Sequence, residues 1–491
     1  MSRITRREAI KSGSAALLSA SLAPLAARCG GSAHDYDVCI VGSGFAGLFL
    51  GLRLAQHGVR TAILEAGPDL TPDASDEGRA DLFPHLTTGS LEFPVDANRT
   101  IGVGGTSRRW HGVISRLLPA DFRARSEFGI WTDWPLSYDT LAPYYCEAEA
   151  ALGTAGGAFV PDGEPDRDCA YPAELDEYVS PAPLLRPLEL SFIPLAAAYP
   201  GDGPLRLDRE RVPEFRARPG AALLPEHAVT RLVASGRRTI EAVEARRPDG
   251  SRVRVRARCF VVAAGVVETV RLLLTSASRQ FPAGPGNAGG QLGTHFHAHP
   301  IFRTFVPAAA AVALPPGTHR TYSFSDPMRR DGANAFHLDM YVGNDGVTVD
   351  VTVELEPAPR SRIQLATRST DRWGRPLAVL QADWTPRDRL TVARAQAVQR
   401  DIVARLARRD PGARAVIEEA GTGWFHPAGG CRMAADERDG VVDAHCQVFG
   451  TDNLYVLGAS VFPVSGSGNP TLTIVALALR LADHLRTHLG A

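Results

Sequence analysis

The chain has 491 residues, a formal net charge of −1, 44% hydrophobic residues and 22% charged residues. That length exceeds one ordinary core, so two closely packed domains are expected, with the composition of a soluble globular protein. No long basic or acidic block is present, which gives no reason to expect nucleic acid or an anionic membrane as a partner. Lys11 is the only lysine, and the arginine excess reads as composition rather than function.

Residues 1–29 are set apart from the fold. Thr5 to Lys11, with Arg6-Arg7, precedes a small and apolar run from Ser12 to Ala27. The run is too short and alanine-rich for a good membrane span but suits a twin-arginine export signal. A disordered basic tail is the bland alternative. Export to the periplasm or the exterior is therefore the expectation, with the cleavage position open. Arg28 before Cys29 fits a lipobox poorly, so a lipid anchor at Cys29 is not expected.

Tyr36 to Val41 is a short apolar run, the reading for a buried parallel strand. Gly42-Ser43-Gly44-Phe45-Ala46-Gly47 follows, then an apolar helical stretch closed by Gly58, and a second strand from Thr61 to Leu64 that ends on Glu65. Gly42 makes the tight turn, Gly44 lets a pyrophosphate approach the backbone, and Gly47 allows close helix–strand packing. The helix start at Phe45 offers unpaired N–H groups to that anion. Glu65 can hold both hydroxyls of an adenosine ribose, which favours FAD or NAD over NADP.

Gly67 to Arg99 is a long connection with little regular structure, leading into Gly104-Gly105-Thr106-Ser107-Arg108-Arg109-Trp110-His111. A glycine cluster of this kind brings backbone close to something flat or charged, or else forms a surface turn. Trp134 to Tyr145 reads as the cap and body of a helix, and 152–183 as a loop that could cover a site. Leu223–Leu232 and Arg252–Ala264 read as strands, and Val266–Leu274 as a helix. Between 301 and 385, alternation in Val347–Leu355 and Arg362–Thr367 predicts an antiparallel sheet with one open face. Leu390–Arg409 is an amphipathic helix. Trp424 to Met433 is a polar, glycine-rich loop carrying His426; Val441–Asp443 and Asn453–Leu457 are strands; a final helix runs from Thr471 to His488.

Seven cysteines are too few for a disulfide framework in so long a chain. Cys39 and Cys259 read as buried hydrophobes, while Cys146 and Cys169 could pair in an exported protein. No CxxC or HExxH spacing occurs, so no metal is expected, and no CxxCH marks a haem.

Taken together, the N-terminal βαβ, GGTS at 104–107, VVAAGVVETVRLLL at 261–274, GTHFHAHP at 293–300, ELEPAPRSR at 354–362, FHPAGGCRM at 425–433 and SGNPTLT at 467–473 resemble the glucose–methanol–choline (GMC) family of FAD-dependent alcohol oxidoreductases. The resemblance implies an α/β FAD-binding Rossmann-like domain with an α+β substrate domain on a mostly antiparallel sheet. Its segments would be 36–300 for FAD, with cap segments near 67–100 and 152–220, then 301–420 for substrate and 421–491 returning to the FAD domain. Gly42, Gly44, Gly47 and Glu65 would hold the ADP half, with Val229 against the adenine. Gly105, Thr106 and Ser107 would lie along the flavin, Ala263 and Gly265 near the cofactor, and Ala459, Asn469 and Thr471 at the pyrimidine end. Some relatives link the flavin to a histidine where this chain has Arg109, so noncovalent FAD is expected and His111 is not the linkage.

The family's catalytic pair maps onto His426 and Asn469. A neutral imidazole takes the hydroxyl proton as hydride leaves for flavin N5, and Asn469 donates to the developing alkoxide. His299, in a recurrent His-Pro motif, looks structural at the domain junction. A sugar, sugar alcohol or other polar alcohol is the favoured substrate, with Trp424 placed to stack on a pyranose. A sterol-type alcohol oxidase and a non-catalytic flavin-binding subunit are the alternatives. The acceptor is open among oxygen, a quinone and a cytochrome, and a small partner subunit fits an exported enzyme of this kind.

Overall fold

The computed structural model describes residues 34–491 apart from 71–78, 92, 94, 96–98, 157–168, 171, 175–190, 193–195, 199–203, 308–318, 324–325 and 410–415. The expected export signal at 1–29 and most of the loop at 152–183 lie outside the described residues.

Strand β1 (Tyr36–Val41) is buried along its apolar length and pairs in parallel with β2 (Thr61–Leu64) on one side. Helix α1 (Phe45–Gln56) joins them, burying Leu48, Leu50, Leu52 and Leu54. The expected strand at 223–232 is two: β3 (Ala221–Leu224) extends the sheet beyond β2, and β4 (Ala228–Ser235) starts after Pro225 interrupts the ladder. β4, β5 (Thr239–Arg246) and β6 (Arg252–Val262) form an antiparallel wing, and β6 also pairs in parallel with β1. Helix α2 (Tyr138–Leu152) starts on Ser137, whose hydroxyl accepts from the Thr140 N–H at 3.2 Å, and α3 (Gly265–Thr275) follows β6.

The second sheet contains β7 (His297–Val306), β8 (Phe336–Val342) and β9 (Val347–Val353), all antiparallel in the order β7-β9-β8. Its period of two is strict. Phe336, Leu338, Met340 and Val342 of β8 and Val347, Val349, Val351 and Val353 of β9 form one cluster with Ala395, Ile402 and Leu406. These last residues belong to α4 (Pro386–Arg409), which therefore covers one face. The alternate positions, His337, Asp339 and Tyr341 with Thr348, Asp350 and Thr352, line the other face. Each buried aliphatic side chain on the covered face contributes roughly 1.5–3 kcal/mol, which locks the register.

The polar stretch around His426 is not a loop. It is the end of β10 (Val416–Ala428), which pairs antiparallel with β7, His299 opposite Phe425. The expected boundaries at 300 and 420 therefore cut through two strands that share one sheet. Val441–Asp443 makes only isolated bridges from Val442, to Met433 and Val448, because the chain turns again at Asp443–Cys446. β11 (Leu454–Val456) then returns to the first sheet beside β6, and α5 (Thr471–Leu489) packs on α1 and α2.

Candidate active site

The turn after β1 separates three glycines by what surrounds them. A Cβ at Gly42, whose φ is +104°, would lie 2.5 Å from the Ala263 carbonyl oxygen, and one at Gly47 would lie 2.0 Å from the Gly42 oxygen. These two permit packing. Gly44 is different: a Cβ there would meet nothing within 4 Å. Gly44 is also the N-cap of α1, with no capping side chain and no acidic residue in the first turn. The first amides of α1 thus face open space, the requirement for a bound pyrophosphate.

Glu65 ends β2, buried, with Oε2 accepting from the Ser43 hydroxyl at 2.7 Å and Oε1 accepting from the Gly67 N–H at 3.0 Å. Burial raises its pKa and these donors pull it back. The His227 N–H donates to the Glu65 carbonyl at 2.8 Å, which places Val229, two residues further on, beside the same strand end. Gly105 has φ +55° and an added Cβ would be 3.0 Å from the Gly44 Cα, so the GGTS turn lies against the first turn. Gly265 opens α3 with φ +72° and free space around it, and Ala459 follows Gly458, which faces Ala46 of α1. Thr471 opens α5, again without a capping side chain. Thr106 is exposed. Ser107 is fully buried, donating to the Gly104 carbonyl at 2.8 Å and accepting from the Leu207 N–H at 3.2 Å. The open amides, the close glycine turns and the buried carboxylate fit FAD.

The second part of the site is a group of histidines. His426 lies at the end of β10 with φ +58°, a left-handed conformation rare for a residue with a side chain. Its Nδ1 is 3.1 Å from Nδ1 of His299 on β7, and His299 Nε2 is 3.0 Å from the Ser465 hydroxyl. This chain of contacts assigns the protons. Ser465 donates to the Gly466 carbonyl at 3.3 Å, and that carbonyl also favours the protonated form of His299. His299 Nε2 therefore carries a hydrogen and its Nδ1 is a lone pair. His426 Nδ1–H must be the donor between the rings, which leaves His426 Nε2 as a bare acceptor. Burial, then the nearby His337 and His111, hold the His426 pKa down to about 3, with Asp339 acting the other way. His299 is depressed well below the ordinary histidine value, also chiefly by burial.

Asn469 lies at the start of α5, its backbone N–H donating to the Ser115 hydroxyl and its Nδ2 donating to the Val113 carbonyl, both at 3.2 Å. Among the described residues no hydrogen bond joins it to His426. The two are linked through the 465–469 loop, which His299 contacts at one end. That loop is pinned from beneath. Gly466 has φ +60°, and an added Cβ would be 2.7 Å from Asp121 Oδ2. Asp121 is paired at 2.7 Å with Arg329, a fully buried guanidinium that also forks onto Glu354 at 2.8 and 2.9 Å.

Sequence reasoning placed His299 at the domain junction but gave it a structural role, whereas it is the partner that orients His426. His337 and Asp339 were missed altogether. Their signal was present: in Phe336-His337-Leu338-Asp339-Met340 the polar residues alternate with the apolar ones, and in a sheet covered on one side they must share the other face. The Trp424 side chain, expected to stack on a sugar, lies outside the described residues.

A dinucleotide turn and a half-buried histidine on a second sheet are the arrangement a flavin-dependent oxidoreductase needs. Residues 35–93 match the FAD binding domain model, and 357–478 match the GMC oxidoreductase model. The chain is 27% identical to the fructose dehydrogenase large subunit of Gluconobacter japonicus, over 91% of this chain and 97% of that one. It is 25% identical to 2-methyl-1,2-propanediol dehydrogenase of Mycolicibacterium austroafricanum, covering 92% and 96%. It is 27% identical to paromamine 6'-oxidase of Streptomyces fradiae, covering 91% and 90%. Among solved structures, pyridoxine 4-oxidase from Mesorbium loti superposes with a TM-score of 0.68 at 20% identity, covering 92% of this chain and 100% of the other. The chain is thus similar along nearly its whole length to GMC oxidoreductases, and it is an FAD-dependent enzyme acting on CH–OH groups.

Proposed function

We propose that the protein oxidises a hydroxyl-bearing carbon of a sugar, polyol or similarly polar alcohol to a carbonyl, with FAD held noncovalently. The observation that carries this reading is the His426–His299–Ser465 chain of contacts, at 3.1 and 3.0 Å, which assigns a lone pair to His426 Nε2. FAD, when bound, supplies an acceptor for the hydride lost by the carbinol carbon. His426 Nε2 takes the hydroxyl proton, and its depressed pKa keeps it unprotonated throughout the neutral range. Asn469 spends one amide hydrogen on Val113, and its second donates to the developing alkoxide.

A polar substrate is supported by the face of the second sheet turned away from α4, where His337, Asp339, Asp350 and Thr352 are buried polar groups rather than apolar lining. The relatives named for fructose, a propanediol and paromamine point the same way. Arg109 in place of a linking histidine supports noncovalent attachment. Export is supported by the Arg6-Arg7 segment and by the Cys146–Cys169 disulfide, whose Cα atoms are 6.0 Å apart, since such bonds persist in oxidising compartments. A partner subunit is supported by the relative named as a large subunit. The test is anaerobic mixing of purified protein with polyols, sugars and a sterol, following flavin absorbance. His426→Ala is expected to abolish bleaching at normal FAD content; an unchanged rate would remove His426 from the mechanism.

A further inference from the structure

His337 is buried on the face of β8 turned away from α4, two strands from β7: the register sets it opposite Thr352, which in turn faces Ile301, two residues beyond His299. Its Nε2 is 3.0 Å from Asp339 Oδ2. A carboxylate can only accept, so Nε2 carries the hydrogen and Nδ1 is a lone pair. Nδ1 is buried and has no hydrogen-bond partner among the described residues. A buried acceptor without a donor costs free energy that a ligand hydroxyl can restore. His337, Thr352, Ile301 and His299 follow one another on one face of the sheet, and His337 acts electrostatically on His426, so the lone pair lies on the side of the sheet that carries the reacting position.

We infer that His337, held by Asp339, accepts a hydrogen bond from a second hydroxyl of the substrate, beside the one whose proton goes to His426. The substrate class is then the vicinal diol, and His337 sets the preference for it over an alcohol with a single hydroxyl. A site built to accept from a hydroxyl rejects an analogue lacking it far better than an apolar pocket rejects an added one. This inference rests on the proposed alcohol oxidation.

The experiment uses the FAD-loaded enzyme with propylene glycol and isopropanol, and with glucose and cyclohexanol. Each pair is compared by the ratio of kcat/KM for flavin reduction. The parent is expected to favour the diol of each pair at least tenfold. His337→Phe is expected to lower that ratio at least tenfold. His337→Asn, which returns an acceptor oxygen near the Nδ1 position, is expected to recover part of it. Calorimetric binding of each diol in a His426→Ala background, where turnover is blocked, is expected to weaken by a similar factor in His337→Phe. Equal losses on both members of a pair, an unchanged ratio, or no diol preference in the parent would overturn the inference while leaving alcohol oxidation in place. A parent whose flavin no alcohol reduces would overturn the underlying activity, and the inference with it.

Discussion

Replacing His299 by alanine tests the proton assignment at the centre of the site. The perturbation removes the only hydrogen-bond partner of His426 Nδ1 among the described residues, a contact of 3.1 Å. A buried N–H left without an acceptor costs about 1–3 kcal/mol. The imidazole escapes that cost by moving its hydrogen to Nε2, the atom that must stay bare to take the substrate proton. At about 1.4 kcal/mol per factor of ten, the base-competent tautomer falls roughly ten- to hundredfold. The assay is stopped-flow flavin reduction by saturating alcohol under anaerobic conditions, with FAD content read from the oxidised spectrum. The limiting rate should fall by about that factor, with a smaller change in KM. His299→Asn, whose side-chain oxygen can accept from Nδ1–H, should recover part of the loss. An alanine variant within twofold of the parent at normal FAD content, or an asparagine variant no better than alanine, would refute the assignment.

Two further outcomes follow from other parts of the molecule. Gly44→Ala adds a methyl group where nothing lies within 4 Å, so the variant should fold but lose FAD, whereas Gly47→Ala drives a methyl group to 2.0 Å from the Gly42 oxygen and should not accumulate as folded protein. Purified yield and absorbance at the flavin bands separate the two, and a Gly44→Ala protein with full FAD content would contradict the cradle described above. Burial holds His297 at a pKa of about 4 rather than its ordinary 6.5. Below pH 6.5 the unfolded chain binds a proton that the folded one refuses, so stability from this residue falls as pH drops towards 4, by about 3 kcal/mol in full. Urea unfolding at pH 6.5 and 4.5 should show a shallower pH dependence in His297→Asn than in the parent; equal dependence would remove His297 as a cause.

Much of the first sheet was legible in the sequence because its signals are local. Tyr36–Val41 and Thr61–Leu64 are short apolar runs bounded by glycine, and both stand where periodicity and turn chemistry place them. His426 was readable as a residue, but its element was not. Trp424 to Met433 carries glycines and a proline that read as a loop, and only pairing with β7 makes its first part a strand. The role of His299 was hidden for the same reason. Nothing within its own stretch announces a partner 127 positions away. His337 and Asp339 were missed because an alternating strand declares two faces, while the choice of face belongs to the helix that arrives fifty residues later.

That division of β8 between two neighbours has a consequence for variation. Even-numbered positions from Phe336 to Val342 are committed to the α4 interface, where a change of volume is felt at once. Odd-numbered positions carry none of that packing. Selection, natural or in the laboratory, that exchanges His337, Asp339 or Tyr341 acts on the opposite face, where the cost at His337 and Asp339 is their mutual hydrogen bond rather than the packing of α4. The strand behaves as a keyboard whose alternate keys are glued down.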